Sequence, residues 1–271
     1  MVKAAAVQMD IQLGQTHLNK ERILAYAQNT PADLLVFPEC ANSGYCFNSL
    51  EDAMPHAEVV PGAFTDSLLS VARDMGRSLA VGILEKKGAA LRNTAVLATP
   101  EGNLRVYRKS HLPYLGVDRF VTPGSELPIF QTAFGRVGMI ICYEWRFPEV
   151  ARSMSLQGAD LLIGLSNWPV GAMVIPTLLV AARAAENHVW IVSSNRVGLE
   201  QGSRFIGKSM IIDPDGQIIA SLPEGNEETV SADLDLSISK AKHFVRKPKA
   251  YEIDLFMDRR PELYGTVTQE G

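Results

Sequence analysis

Three side chains that could share one reaction stand at the ends of apolar runs. Cys142 follows Val137-Gly138-Met139-Ile140-Ile141, Glu39 follows Leu34-Leu35-Val36-Phe37-Pro38, and Lys109 closes the run that begins at Leu104. In α/β proteins the carboxyl ends of strands carry loops held at a fixed edge, and chemistry collects there. Cys142 lies at a strand-to-helix turn, with Pro148 suited to a first helical turn. A thiolate there can feel a helix N-terminus, which lowers a thiol pKa. The backbone N–H of Tyr143 is then free to bind an oxyanion. A carboxylate such as Glu39 is costly at a buried strand rim without a partner. It could take the thiol proton and later hand it to a leaving amine. The Lys109 ammonium can hold negative charge developing on a carbonyl oxygen. Each residue alone also has a plainer reading: a small buried hydrophobe for Cys142, a loop carboxylate or helix cap for Glu39, a solvated strand end for Lys109. Together they supply nucleophile, base and electrostatic stabiliser, the set needed for acyl transfer through a thioester.

The elements that must position them follow from periodicity. Strands are expected over 2–8, 33–37, 79–85, 94–99 and 104–109, with helices over 17–28 and 65–75. After a loop over 111–126 the order starts again, with strands over 137–141, 161–165, 189–193, 209–212 and 217–220 and helices over 147–157 and 176–187. A last strand is expected over 229–234. Strand-helix-strand-helix-strand-strand-strand thus occurs twice, with no Ser/Gly-rich or charged linker between. We read residues 1–271 as one α/β unit of two echoing halves. The strands are mostly continuous apolar runs, which predicts sheets covered on both faces. Residues from about 246 to 271 are polar with apolar anchors at Ile253, Leu255 and Phe256. They read as an arm packing on this chain or on a second copy, with a disordered tail as the alternative.

Composition removes several classes of function. The chain has 271 residues, of which 46% are hydrophobic and 21% charged, so it can bury a large core without disulfides or metals. Its 26 basic and 30 acidic residues leave a net charge of −4, which offers no broad attraction to nucleic acid. No apolar run approaches the ~18 residues of a membrane span, and the N-terminus reads as a strand rather than a signal peptide. Cys40, Cys46 and Cys142 are odd in number and not spaced as a disulfide framework. A reducing, cytoplasmic location fits them. The five histidines show no metal-ligand spacing, and no glycine-rich phosphate loop is present. Gly164-Leu165-Ser166-Asn167-Trp168 ends in tryptophan where a serine elbow needs glycine.

Phe37-Pro38-Glu39, Tyr107-Arg108-Lys109-Ser110-His111-Leu112 and Gly138-Met139-Ile140-Ile141-Cys142-Tyr143-Glu144 resemble, in order and spacing, the three signature segments of the nitrilase, or carbon–nitrogen hydrolase, superfamily. Arg183-Ala184-Ala185-Glu186-Asn187, Asn195-Arg196-Val197-Gly198 and Arg259-Arg260-Pro261-Glu262-Leu263-Tyr264 extend the likeness over nearly the whole chain. The resemblance implies a four-layer α-β-β-α sandwich paired into dimers or larger assemblies. It implies catalysis without cofactor or metal. Glu39 would act as base, Cys142 as nucleophile, and Lys109 with the Tyr143 N–H as oxyanion donors. Asn167 and Trp168 would form substrate wall. Many amidase members carry a second glutamate between lysine and cysteine. Here Asp118-Arg119-Phe120 is the nearest match, leaving Asp118 as a substrate-positioning acid or as a loop aspartate paired with Arg119. Tyr114, in an apolar loop near the strand ends, and Glu144, beside the nucleophile, complete the residues expected to position substrate. Cys142-Tyr143-Glu144 is similar to the amidase-type branches, whereas nitrilases resemble Cys-Trp-Glu. The expected reaction is hydrolysis of a small linear amide or carbamoyl compound with release of ammonia or an amine. A nitrilase and a catalytically silent binding protein on the same fold are the alternatives.

Overall fold

Aliphatic runs that must be covered on both faces form two sheets here rather than one. The computed structural model describes residues 1–269. Its first half runs β1 (Val2–Gln8), α1 (Thr16–Asn29), β2 (Leu34–Val36), α2 (Leu50–Ala53), α3 (Ala63–Met75), β3 (Ser78–Lys87), β4 (Ala90–Ala98) and β5 (Leu104–Arg108). The second half runs β6 (Ile129–Thr132), β7 (Gly135–Ile141), α4 (Pro148–Leu156), β8 (Leu161–Ser166), α5 (Val180–Asn187) and β9 (Trp190–Asn195). It continues through β10 (Val197–Glu200), β11 (Ser203–Ile206), β12 (Met210–Ile212) and β13 (Ile218–Ser221). Then come β14 (Glu228–Leu234), β15 (His243–Lys247) and β16 (Tyr251–Asp254).

One sheet has the order β14-β1-β2-β3-β4-β5 and the other the order β13-β12-β9-β8-β7-β6. In each, the three strands joined by helices are parallel and the outer strands antiparallel. β14 leaves the second half and pairs antiparallel with β1, from Val2 opposite Leu234 to Gln8 opposite Glu228.

Strand alternation sets the layers. On β1, Ala5 and Val7 pack with Ile23 and Ala27 of α1 and Leu68 and Ala72 of α3. Ala4 and Ala6 turn the other way, into a core shared with Leu161, Ile163 and Ile191 of the second sheet. Beyond that sheet lie Val150 and Met154 of α4 and Val180 and Ala184 of α5. The result is a four-layer α-β-β-α sandwich. Both strand sets are covered twice, which is why they read as unbroken apolar runs.

The differences from expectation are local. β4 starts at Ala90 rather than residue 94, because it closes a hairpin onto β3 in which Lys87 faces Ala90. The helix expected over 176–187 is a wider, π-type turn over Ile175–Leu179 followed by α5. β6 was not anticipated, since four residues after Pro128 carry little signal. The hairpin β10–β11 was also missed: each strand has only four residues. The C-terminal arm forms the hairpin β15–β16, and then Phe256 lies under Lys242 and Arg152 with its ring 5.1 and 5.5 Å from the two cations. Tyr264, Val267 and Thr268 line a cavity of about 530 Å³ with Pro148, Arg152 and Leu156 of α4. The last two residues of the expected arm, Glu270 and Gly271, lie outside the described residues.

Candidate active site

Glu39, Lys109 and Cys142 come from strands of both sheets and meet at one end of the sandwich. The chain beyond β2 keeps pairing with β3, through Phe37 N–H to the Ala80 carbonyl at 2.8 Å. The Glu39 loop then lies flat on Gly82, where a Cβ would stand 2.3 Å from the Pro38 oxygen and 2.5 Å from the Glu39 Cα. Only glycine lets the loop press onto β3, and this buries Glu39 completely. Lys109 extends β5 by one residue, its N–H bonded to the Asn93 carbonyl at 2.8 Å, and its side chain is also buried. Asp118 sits on a short turn over Gly116–Arg119. Gly116 leaves room for the Tyr45 ring, which a Cβ there would strike at 2.2 Å.

These side chains form one ionic cluster. The Lys109 Nζ donates to Glu39 Oε1 at 2.7 Å and to Asp118 Oδ2 at 2.6 Å. The Asn93 Nδ2 donates to the same Glu39 oxygen at 2.7 Å and to Asp118 Oδ1 at 2.8 Å. Tyr45 OH donates to Asp118 Oδ2 at 2.8 Å. Glu39 Oε2 is buried with no hydrogen-bond partner among the described residues.

Cys142 opens a single 3-10 turn, Cys142–Arg146, at a left-handed φ of 51° and is 7% exposed. Tyr143 lies in that first turn, where N–H groups lack an intrahelical acceptor. The expected lowering of the thiol pKa does not occur. Burial pushes the Cys142 thiol well above its ordinary value, and the neighbouring Glu39 charge pushes the same way. Lys109 and a hydrogen bond from the Asn167 backbone oppose them without prevailing. One 3-10 turn aligns too few peptides to offset desolvation. Burial also raises Glu39, with Lys109 opposing and Asp118 assisting. Burial would lower Lys109, but Asp118 and Glu39 together hold it well above its usual value. The resting thiol is thus neutral, and burial has raised the proton affinity of its neighbour Glu39.

The residues expected to position substrate divide. Both oxygens of Asp118 are taken by Lys109, Tyr45 and Asn93, and its pairing is with Lys109 rather than Arg119. Glu144 is fully buried and its oxygens accept from Tyr107, Ser110 and Ile141. Trp168 is buried with its indole Nε1 directed to the Cys142 carbonyl at 3.5 Å. Asn167 is buried beside it, and neither side-chain polar atom has a partner among the described residues. Tyr114 is 91% exposed and lies outside this cluster, on a surface depression with Cys46, Asn48, Arg119 and Ser203. Asn93 is not expected in the cluster, whereas the loop of Tyr45 reads from the sequence as a pocket wall or a subunit contact. Asn93 stands between Arg92 and Thr94, just ahead of the strand expected over 94–99, so periodicity gives no signal for it. No group of three metal-ligating side chains occurs among the described residues, and none of the described helices is long and apolar enough to cross a membrane.

The model of the carbon-nitrogen hydrolase family matches residues 3–242. A protein named nitrilase from Pyrococcus abyssi is 36% identical, over 97% of this chain and 99% of its own. An omega-amidase from Xenopus tropicalis is 35% identical, over 92% of this chain and 91% of its own. Among solved structures, an amidase from Nesterenkonia sp. superposes with a TM-score of 0.80 at 24% identity, over 98% of this chain and 96% of its own, a likeness of fold.

Proposed function

The chain belongs to the carbon–nitrogen hydrolase family, and on that premise we propose that it hydrolyses small linear amides or carbamoyl compounds through a thioester on Cys142. One observation carries the reading: beside the Cys142 thiol, a buried carboxylate is held by Lys109 through one oxygen and left with its other oxygen free. Glu39 Oε2 accepts the thiol proton as the sulfur attacks the carbonyl carbon. The oxyanion forms between the Lys109 Nζ and the Tyr143 N–H. As the C–N bond breaks, Glu39 returns the proton to the departing nitrogen, and ammonia or an amine leaves. Water then gives a proton to Glu39 and attacks the thioester carbonyl. Collapse releases the acid and restores the thiol.

Asp118 serves here to hold Lys109 rather than substrate, because both its oxygens are occupied. Asn167 and Trp168, buried beside the Cys142 carbonyl, form the floor of the acyl pocket. The amide is favoured over a nitrile because the chain has Cys142-Tyr143-Glu144 where nitrilases resemble Cys-Trp-Glu. The omega-amidase similarity supports that choice. The exposed apolar residues Met257, Leu263 and Val267 of the arm support a homodimer, and the three free cysteines support a cytoplasmic enzyme.

The test is an ammonia-release screen over amides, carbamoyl compounds and the matching nitriles, with the Cys142→Ala variant beside the wild type. Amide turnover at least 10⁴-fold above the variant is expected. Amide turnover retained by Cys142→Ala, or turnover of nitriles alone, overturns the reading.

A further inference from the structure

Glu144 differs from Glu39, which burial raises. It is fully buried, yet its carboxyl is held below the ordinary carboxylate range. Burial would raise it, but hydrogen bonds from His111, Tyr107, Ile141 and Ser110 prevail. Oε1 accepts from Tyr107 OH at 2.5 Å, Ser110 N–H at 2.8 Å and Ser110 Oγ at 2.8 Å, with His111 N–H at 3.4 Å. Oε2 accepts from Ile141 N–H at 2.8 Å. Ile141 immediately precedes Cys142, and Ser110 immediately follows Lys109.

Nucleophile and ammonium arrive on strands of different sheets, β7 and β5. No backbone ladder sets the distance between them. Among the described residues, Glu144 is bonded to both connectors, to Ile141 before Cys142 and to Ser110 after Lys109. A carboxylate is the right group for this work, since every one of its partners is a donor and it is acceptor-only. A carboxamide of equal size would turn an N–H toward either Ile141 or the Ser110 group.

We propose that Glu144 is a positioning residue that sets the separation of Cys142 and Lys109, and that it contacts no substrate. It acts through the oxyanion geometry: displacing Ser110 moves Lys109 away from the developing charge. Nucleophile and base are disturbed less than the ammonium, because Glu39 is also held from its own side by Gly82 and Asn93, independently of its bond from Lys109. A misplacement of about 1 Å in such a set can cost on the order of 10²-fold in rate.

The inference rests on the proposed thioester reaction, and two probes separate them. The first is steady-state turnover of an amide from the screen. The second is the rate at which methyl methanethiosulfonate modifies Cys142, read by intact mass. That reagent forms a methyl disulfide and expels methanesulfinate, so it needs the thiol and its base but no oxyanion donor. For Glu144→Gln the expected result is a kcat lowered about 30- to 100-fold. KM should stay within about twofold, and the modification rate within about threefold of wild type. Tyr107→Phe removes one donor and keeps the carboxylate. It serves if the glutamine variant does not fold, and should lower kcat by a few-fold in the same pattern. An unchanged kcat in both variants overturns the proposal, as does a loss confined to KM, which would mean substrate contact. Modification slowed in parallel with turnover overturns it too, because it means general damage to the site. Amide turnover surviving Cys142→Ala would instead remove the thioester reading itself.

Discussion

Two buried ionic networks lie within one loop of each other, and they are built to opposite ends. Around Arg196 every polar group is matched. The Nη1 donates to Glu200 at 2.7 Å, the Nη2 to Asp10 at 3.2 Å and to the Ile11 carbonyl, and the Nε to the Val197 carbonyl at 3.2 Å. The other Glu200 oxygen accepts the N–H groups of Tyr45 and Cys46 at 2.9 and 2.7 Å, and the Phe205 ring covers the guanidinium at 4.3 Å. Around Lys109 the matching is incomplete: Glu39 Oε2 and Asn93 Oδ1 are buried without partners among the described residues. A satisfied network holds a hairpin and a loop in place. An unsatisfied one costs stability, about 1–3 kcal/mol for each orphaned group, and keeps an acceptor ready for a proton. Tyr45 touches both, its N–H bonded to Glu200 and its hydroxyl to Asp118.

The comparison breaks most sharply under paired substitution to methionine. Lys109→Met should lower amide turnover by about 10³-fold. It should change the melting temperature less, because Glu39, already raised by burial, can take up a proton once the ammonium is gone. Arg196→Met should do the reverse. It leaves Glu200 buried without its cation, at a cost of about 3–5 kcal/mol, or roughly 10 °C in melting temperature. Activity per folded molecule, measured well below that transition, should stay within a few-fold. Equal effects of the two on stability, by calorimetry, would erase the distinction.

A smaller effect sharpens it. Glu39 is raised above its ordinary value of 4.5 by burial. The folded state therefore binds this proton more tightly than the unfolded one. Its contribution is full below about pH 4.5 and declines as pH rises from there through the folded pKa. Glu39→Gln mimics the protonated form. Its melting temperature relative to wild type should climb by a few degrees between pH 4.5 and 7 while turnover is lost. A difference that stays flat with pH would mean that Glu39 carries no such penalty. Smallest is Tyr45→Phe, which removes one bond to Asp118 and keeps the backbone bond to Glu200. Turnover should fall about three- to tenfold with stability changed by about 1 kcal/mol, read from kcat and a urea titration.

Much of the site was legible in the chain because covalent order decided it. Glu39 and Cys142 each follow an apolar run, Lys109 closes the mixed run Leu104-Arg105-Val106-Tyr107-Arg108, and a strand's carboxyl end is a place that periodicity alone can locate. The two-fold echo of elements was legible for the same reason. Asn93 was not, because it enters the cluster only when β4 lies beside β5 and Glu39 settles on Gly82. Glu144 and Asp118 were expected near substrate, and their oxygens are spent on protein donors, among them Tyr107 and Ser110 for Glu144 and Tyr45 and Asn93 for Asp118. Tyr114 was expected in the site and stands in solvent.

The sequence by itself determined residue types, element order and the three groups able to share a reaction, all of which depend on neighbours along the chain. Only the tertiary structure decided the state in which those groups rest. Proximity to a helix N-terminus argued for a lowered thiol pKa, yet burial between two sheets raises it, and with it Glu39. Desolvation and unpaired lone pairs belong to the space around an atom, and that space is fixed by segments up to a hundred residues away, as from Glu39 to Cys142.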